Sequence, residues 1–150
     1  MYMHMENPCT LGFTVSSTNS AVPLGLKVVF DKSVIYTTTH MDANVHIEHQ
    51  FSDVCGEHEL LLELSGKKSE HTKIDTAGQI LSDVLLTCTD VQIDGVPLDL
   101  YMRILAEYCH DYNGTQPMQY HNFFSGTMGA NGLVSFKFRT PVYLWELEYN

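Results

Sequence analysis

The sequence is poor in positive charge. Only 8 Lys and Arg stand against 18 Asp and Glu, giving a formal net charge of -10. Phosphate backbones are held by clustered Lys and Arg, so this balance argues against a nucleic-acid partner. Long apolar runs are missing too: no window reaches the roughly 18 consecutive apolar residues that mark a membrane-spanning helix. The opening MYMHMENPCTLGF has no basic stretch followed by an apolar one, so no secretory signal is read there. The 4 cysteines, Cys9, Cys55, Cys88 and Cys109, are scattered and form no C-x-x-C pair. Reduced, mostly buried thiols are expected. G-x-S-x-G, H-E-x-x-H, P-loop and EF-hand frames are all absent. With no motif to carry catalysis, Glu48, Glu59 and Glu63 are read as residues of solvated strand faces, and no enzyme is expected.

What is present points to one folded domain. The 150 residues can bury a sizeable core. Hydrophobic residues make up 44% and charged residues 17%, which excludes disorder and leaves an uncharged polar surface. Period two dominates. Leu26, Val28 and Phe30 alternate with Lys27 and Asp31; Asp31-Lys32-Ser33 reads as a turn, and SVIYTTTH follows as a strand. Val45, Ile47 and Phe51 share a face against His46, Glu48 and Gln50. Leu60, Leu62 and Leu64 alternate with Glu59, Leu61 and Glu63, and Val134, Phe136 and Phe138 with Ser135, Lys137 and Arg139. VLLTCTDVQIDG is apolar on both faces, as a central strand is, and ends in the turn pair Asp94-Gly95. After Pro141, Tyr143, Trp145, Leu147 and Tyr149 oppose Glu146 and Glu148, which predicts a last strand.

Short strands with half-polar faces predict an all-β, antiparallel β-sandwich of jelly-roll type. Residues 97–109 fit two periods: Leu98, Met102, Leu105 and Cys109 a helical stripe, and Leu98, Leu100, Met102 and Ile104 a strand. The helix formers there favour one short helix near 98–108, with Asp99 as its cap. Residues 1–9, rich in Met and without a core-forming period, read as an N-terminal arm. Residues 10–150 read as the sandwich, with a long loop at 109–132 bracketed by turns at Asn113-Gly114 and Asn131-Gly132.

The candidate chemistry concentrates in that loop. Tyr112, Tyr120 and Phe123 offer apolar faces to sugar rings, with Asn113 as a polar neighbour; Phe124 is a further aromatic. The same aromatics could equally pack under the loop or against another subunit. No resident cofactor is expected, but Asp111 and Asn113, with the turn glycine Gly114, offer oxygen ligands to calcium; the alternative is a turn in which they satisfy their own backbone. His110, Asp111 and His121 could converge on zinc, although no spacing requires it. His46 and His49 cannot chelate together, because on a strand they point to opposite faces; His49 shares parity with the core and is expected at its edge, hydrogen-bonded. Asn113-Gly114-Thr115 matches a glycosylation sequon, but the pair reads better as a turn.

Two resemblances add to this reading. The succession GLKVVFDKSVIY, VHIEHQF, GEHELLLELSGK and DVLLTCTDVQIDGVPL resembles small calcium-dependent xylan-binding carbohydrate modules. Gly56, His58 and Leu60, then Val91, Asp94 and Gly95, match framework positions of that pattern, while Asp31 departs from it in being followed by Lys32 and not Gly. This resemblance implies a β-sandwich that holds a glycan, with calcium in some members. The stretch from Asp90 to Glu148, DVQIDGVPLD…YCHDYNGT…FFSGTMGANGLVSFKFRTPVYLWELE, is similar to small virion proteins of tailed bacteriophages, including those of marine cyanobacteria. That implies a structural role as head decoration, knob or tail component, made in the host cytoplasm and placed in the virion. Its partners would be capsid or tail proteins or further copies of itself. Host surface glycans are the alternative partner.

Overall fold

The computed structural model describes residues 8–52 and 56–149. In chain order the elements are β1 (Pro8–Ser17), β2 (Gly25–Phe30), β3 (Ser33–Thr38), β4 (Asn44–Ser52), β5 (Glu57–Ser65), β6 (Lys73–Ile74), β7 (Ile80–Ser82), β8 (Leu86–Ile93) and β9 (Val96–Pro97). Helix α1 (Asp99–Leu105) follows, then β10 (Glu107–His110), β11 (Gln119–His121), β12 (Thr127–Met128) and β13 (Gly132–Arg139). Helix α2 (Val142–Glu146) runs into a 3-10 turn at Leu147–Tyr149. One sheet has the order β12-β8-β1-β4, with β9 also paired to β8; the other has the order β11-β10-β13-β5-β2-β3. All pairings are antiparallel. The expected all-β sandwich is what the chain forms.

Alternation builds it. Leu11, Phe13 and Val15 of β1 and Ile47 and Phe51 of β4 face Leu26, Val28 and Phe30 of β2, Leu60, Leu62 and Leu64 of β5, and Val134, Phe136 and Phe138 of β13 in one core. Each such side chain contributes about 1.5–3 kcal/mol by leaving water. Asp31 and Lys32 both take left-handed φ, 47° and 70°, as a two-residue hairpin turn between right-twisted strands requires. Asp94-Gly95 does the same between β8 and β9. His49 sits at the core edge, as its parity predicts, with its ring 5.2 Å from that of Phe30. Burial holds its pKa below the usual value, against the opposing pull of Asp31.

Three expectations for the helical segments need correction. The last segment is not a strand: α2 and the 3-10 turn replace it. Val142 and Trp145, three apart, are its buried residues, so the apolar residues there obey a helical spacing as well as an alternating one. Pro141 ends the ladder of β13 and takes the N-cap position, where its lack of an N–H costs nothing. The central helix exists but is shorter than 98–108; Glu107 to His110 leave it and pair with β13. Asp99 does not cap it: Leu98 holds the N-cap, and Asp99 Oδ1 accepts the Val91 N–H at 3.2 Å.

The stretch 109–132 is part strand. Cys109 pairs with Tyr120 across a β10–β11 hairpin, and β12 pairs with β8. Asn113-Gly114 is a left-handed turn, with φ of 59° and 85°. Asn131-Gly132 is not one; Gly132 opens β13, where an added Cβ would stand 2.3 Å from the Cys109 carbonyl oxygen. Of the expected arm, residues 1–7 lie outside the described residues, while Pro8 and Cys9 belong to β1. Cys9 and Cys88 are buried and Cys109 is half-buried, whereas Cys55 lies outside the described residues. Burial, with Asp99 nearby, pushes the Cys88 thiol up to about 12.

Candidate functional site

The predicted ligand residues separate into two groups. At the β10–β11 turn, Asp111 Oδ1 accepts the Gly114 N–H at 2.8 Å, and the Asp111 carbonyl accepts the N–H groups of Thr115 and Gln116. Asn113 Oδ1 accepts the Asn131 N–H at 2.8 Å, and the Asn131 amide exchanges hydrogen bonds with the main chain of Lys67. Asp111 and Asn113 thus organise their own turn and tie it to the end of β5. The Tyr112 ring stands edge-on to His110 at 4.5 Å, and His110 stacks on His121 at 5.0 Å. His110 Nδ1 accepts the Tyr112 N–H at 3.2 Å. Stacked imidazoles meet through their faces, so their lone pairs do not converge on a shared ion. Burial first, then the neighbouring His121, lowers the His110 pKa, with Asp111 opposing. Among the described residues, no group of three or more His, Cys, Asp or Glu is placed to hold a metal.

Tyr120 and Phe123 do meet. They line a shallow depression with His121, Asn122, Ser125 and Thr127, and both are mostly exposed, at 66% and 60%. Phe124 turns inward and is buried. The depression therefore joins two apolar rings to a polar rim, while Tyr112 and Asn113 stand outside it.

A second cleft, of about 520 Å³, lies at the end of the six-stranded sheet. Asp31, Glu57, Glu59, Lys137 and Arg139 wall it, with Trp145 and Tyr149 at its side. Sequence reading missed it because its residues come from four separate segments. From the wall inward runs a chain of hydrogen bonds: Asp31 Oδ2 lies 2.6 Å from His58 Nδ1, and His58 Nε2 lies 3.0 Å from Thr140 Oγ1. A carboxylate only accepts, so Nδ1 carries the proton. The order Asp–His–Thr has the connectivity of a nucleophile relay, but Thr140 is buried at 6% exposure and does not line the cleft. The chain fixes His58, whose ring stacks on Phe30 at 5.6 Å. It braces the β2–β3 turn against β5.

The two helices carry an unusual surface. Helix α1 buries Met102 and turns Leu100 and Ile104 outward. Helix α2 buries Val142 and Trp145 and turns Tyr143 and Leu144 outward, and Leu147 follows on the 3-10 turn. All five of these outward residues are more than half exposed. Tyr101 joins the two segments, with its ring 5.3 Å from Trp145 and 6.2 Å from Tyr149. A short surface helix ordinarily puts polar residues outside. Here α1 exposes Leu100 and Ile104 beside Arg103, and α2 exposes Tyr143 and Leu144.

No family model matches the chain, and no curated protein matches it. A solved structure described as "vCBM60 in complex with galactobiose" is similar with a TM-score of 0.45 and 12% identity, covering 85% of this chain and 96% of that one.

Proposed function

We propose that this chain is a non-enzymatic structural module that binds a neighbouring protein through the apolar faces of α1 and α2, in the virion setting that its sequence resemblance implies. The observation that carries this reading is the outward set Leu100, Ile104, Tyr143, Leu144 and Leu147 on adjoining short segments. Apolar side chains grouped in this way mark a surface that another protein covers. Deleting the gene and measuring particle composition and heat stability tests it; particles of normal content and stability would refute it.

A second reading, a carbohydrate-binding module, is favoured by one feature. Tyr120 and Phe123 stand exposed beside Asn122, Ser125 and Thr127, an apolar platform with hydrogen-bonding groups at its rim. Under this reading the ligand is a host-surface glycan. A glycan panel, run with calcium and with chelator, decides it: no binding in either condition removes it.

A further inference from the structure

The edge strands of this sandwich are unequal. Strand β3 ends one sheet, but its ladder with β2 is interrupted by a register shift beside Val28 and Val29. Strands β11 and β12 end their sheets with only 3 and 2 residues. Bulges and shortness are two of the ways by which proteins keep sheet edges from pairing with other chains. Strand β4 has neither. It runs 9 residues and pairs with β1 in unbroken register from Asn44 to Ser52. No strand lies on its other side among the described residues. It contains no Pro, Lys or Arg, and Glu48 is its one acidic residue. From Asn44 to Gln50 the N–H and C=O groups on the side away from β1 therefore face outward along a regular template.

We propose that β4 pairs with β4 of a second copy of this chain, antiparallel, across a two-fold axis at Ile47. The pairing of an imidazole with a carboxylate selects both the occupant and the register. His46 and Glu48 lie on the same outer face, 3.1 Å apart, with their side chains 51% and 66% exposed. With the axis at Ile47, His46 stands opposite Glu48 of the second copy, and Glu48 opposite its His46. Asn44 meets Gln50 on the same outer face, polar against polar, while Val45 meets His49 on the face that carries Ile47 and Phe51. A slip that moves the axis to Glu48 sets the two Glu48 carboxylates against each other. A slip to His46 sets the two imidazoles together and Glu48 opposite Asn44, so the contact between imidazole and carboxylate is lost. Like charges directly opposite on adjacent strands destabilise the pair, and opposite charges stabilise it. An isologous contact needs such a self-complementary patch. The result is one continuous sheet through both copies, with β4 no longer an edge. This proposal is independent of the helical face, which lies on other elements.

The test is sedimentation equilibrium of the full chain across a concentration series, with circular dichroism to confirm the fold of each variant. The wild type is expected to dimerise. His46→Glu places carboxylates opposite each other, and Glu48→Lys removes the carboxylate that His46 meets; each weakens the dimer by about tenfold or more. The double exchange His46→Glu with Glu48→His restores it, because the swapped pairs are again complementary across the axis. A wild type that stays monomeric throughout overturns the proposal. So does a dimer that ignores the single variants, or one that the double exchange fails to restore. All these substitutions fall on exposed side chains, so loss of fold is not expected to obscure the outcome.

Discussion

Lys67 Nζ lies 2.7 Å from Asp83 Oδ1 and is fully enclosed, with 0% of its side chain exposed. Its remaining protons go to the carbonyl oxygens of Val84, at 2.5 Å, and Gly129, at 2.9 Å. One ammonium thus ties the end of β5 to the segment after β7 and to the segment before β13. Burial alone would push the Asp83 carboxyl up, but hydrogen bonds from Lys67 and Thr72, with the Lys67 charge and the Val84 N–H, outweigh it and hold the pKa low. Removing one partner of a buried pair strands the other. Lys67→Met is therefore expected to cost about 3 kcal/mol, read from urea unfolding midpoints at constant slope. An unchanged midpoint would show that the enclosed ammonium ties nothing.

Acid should weaken the fold through two histidines. His49 and His110 both have pKa values lowered by burial, so in the folded state they resist protonation. The unfolded chain then takes up protons first, beginning near the ordinary histidine value of about 6.5. Their stabilising contribution is present above that pH and is lost as pH falls through the folded values. The expected observation is a melting temperature that declines on acidification from about pH 7 to 5, with a shallower decline in His49→Gln and His110→Gln. If both variants keep the full wild-type slope, these residues are not its source.

Trp145 closes the core beneath α2. Its ring lies 6.1 Å from Phe136, 6.3 Å from Phe138 and 5.3 Å from Tyr101. Trp145→Ala should cost about 3–5 kcal/mol. Tyr143→Ala, in the same helix but facing outward, should stay within about 0.5 kcal/mol. Equal losses would mean that α2 does not pack as described.

The strands were legible wherever one face met the core over several residues. Leu60, Leu62 and Leu64, or Val134, Phe136 and Phe138, state their own register. The terminal helix was misread because Trp145 and Tyr149 fit an alternating and a helical pattern alike, and no local signal chose between them. Strands β11 and β12 are too short to display any period. Asp111 and Asn113 were readable as turn residues. What they tie together was not, since Asn131 and Lys67 are distant in sequence. The cleft at the end of the six-stranded sheet escaped for the same reason.

For the glycan reading, the two exposed rings make a sharp demand. Tyr120→Ala and Phe123→Ala should each reduce binding to any positive glycan by about tenfold, whereas Tyr112→Ala, outside the depression, should leave it unchanged. Isothermal titration checks this. Sensitivity to Tyr112 alone would move the ligand to the β10–β11 turn.

The central claim is that the helical face is covered by a protein neighbour, and its most direct measurement is the number of copies of this chain in purified particles. Leu100→Asp with Leu144→Asp puts charge on both outward faces while leaving Met102, Val142 and Trp145 in place. The account predicts a folded variant that is absent from particles, or at least about tenfold depleted, against a wild type present at fixed stoichiometry. Wild-type occupancy in the variant particles would contradict it.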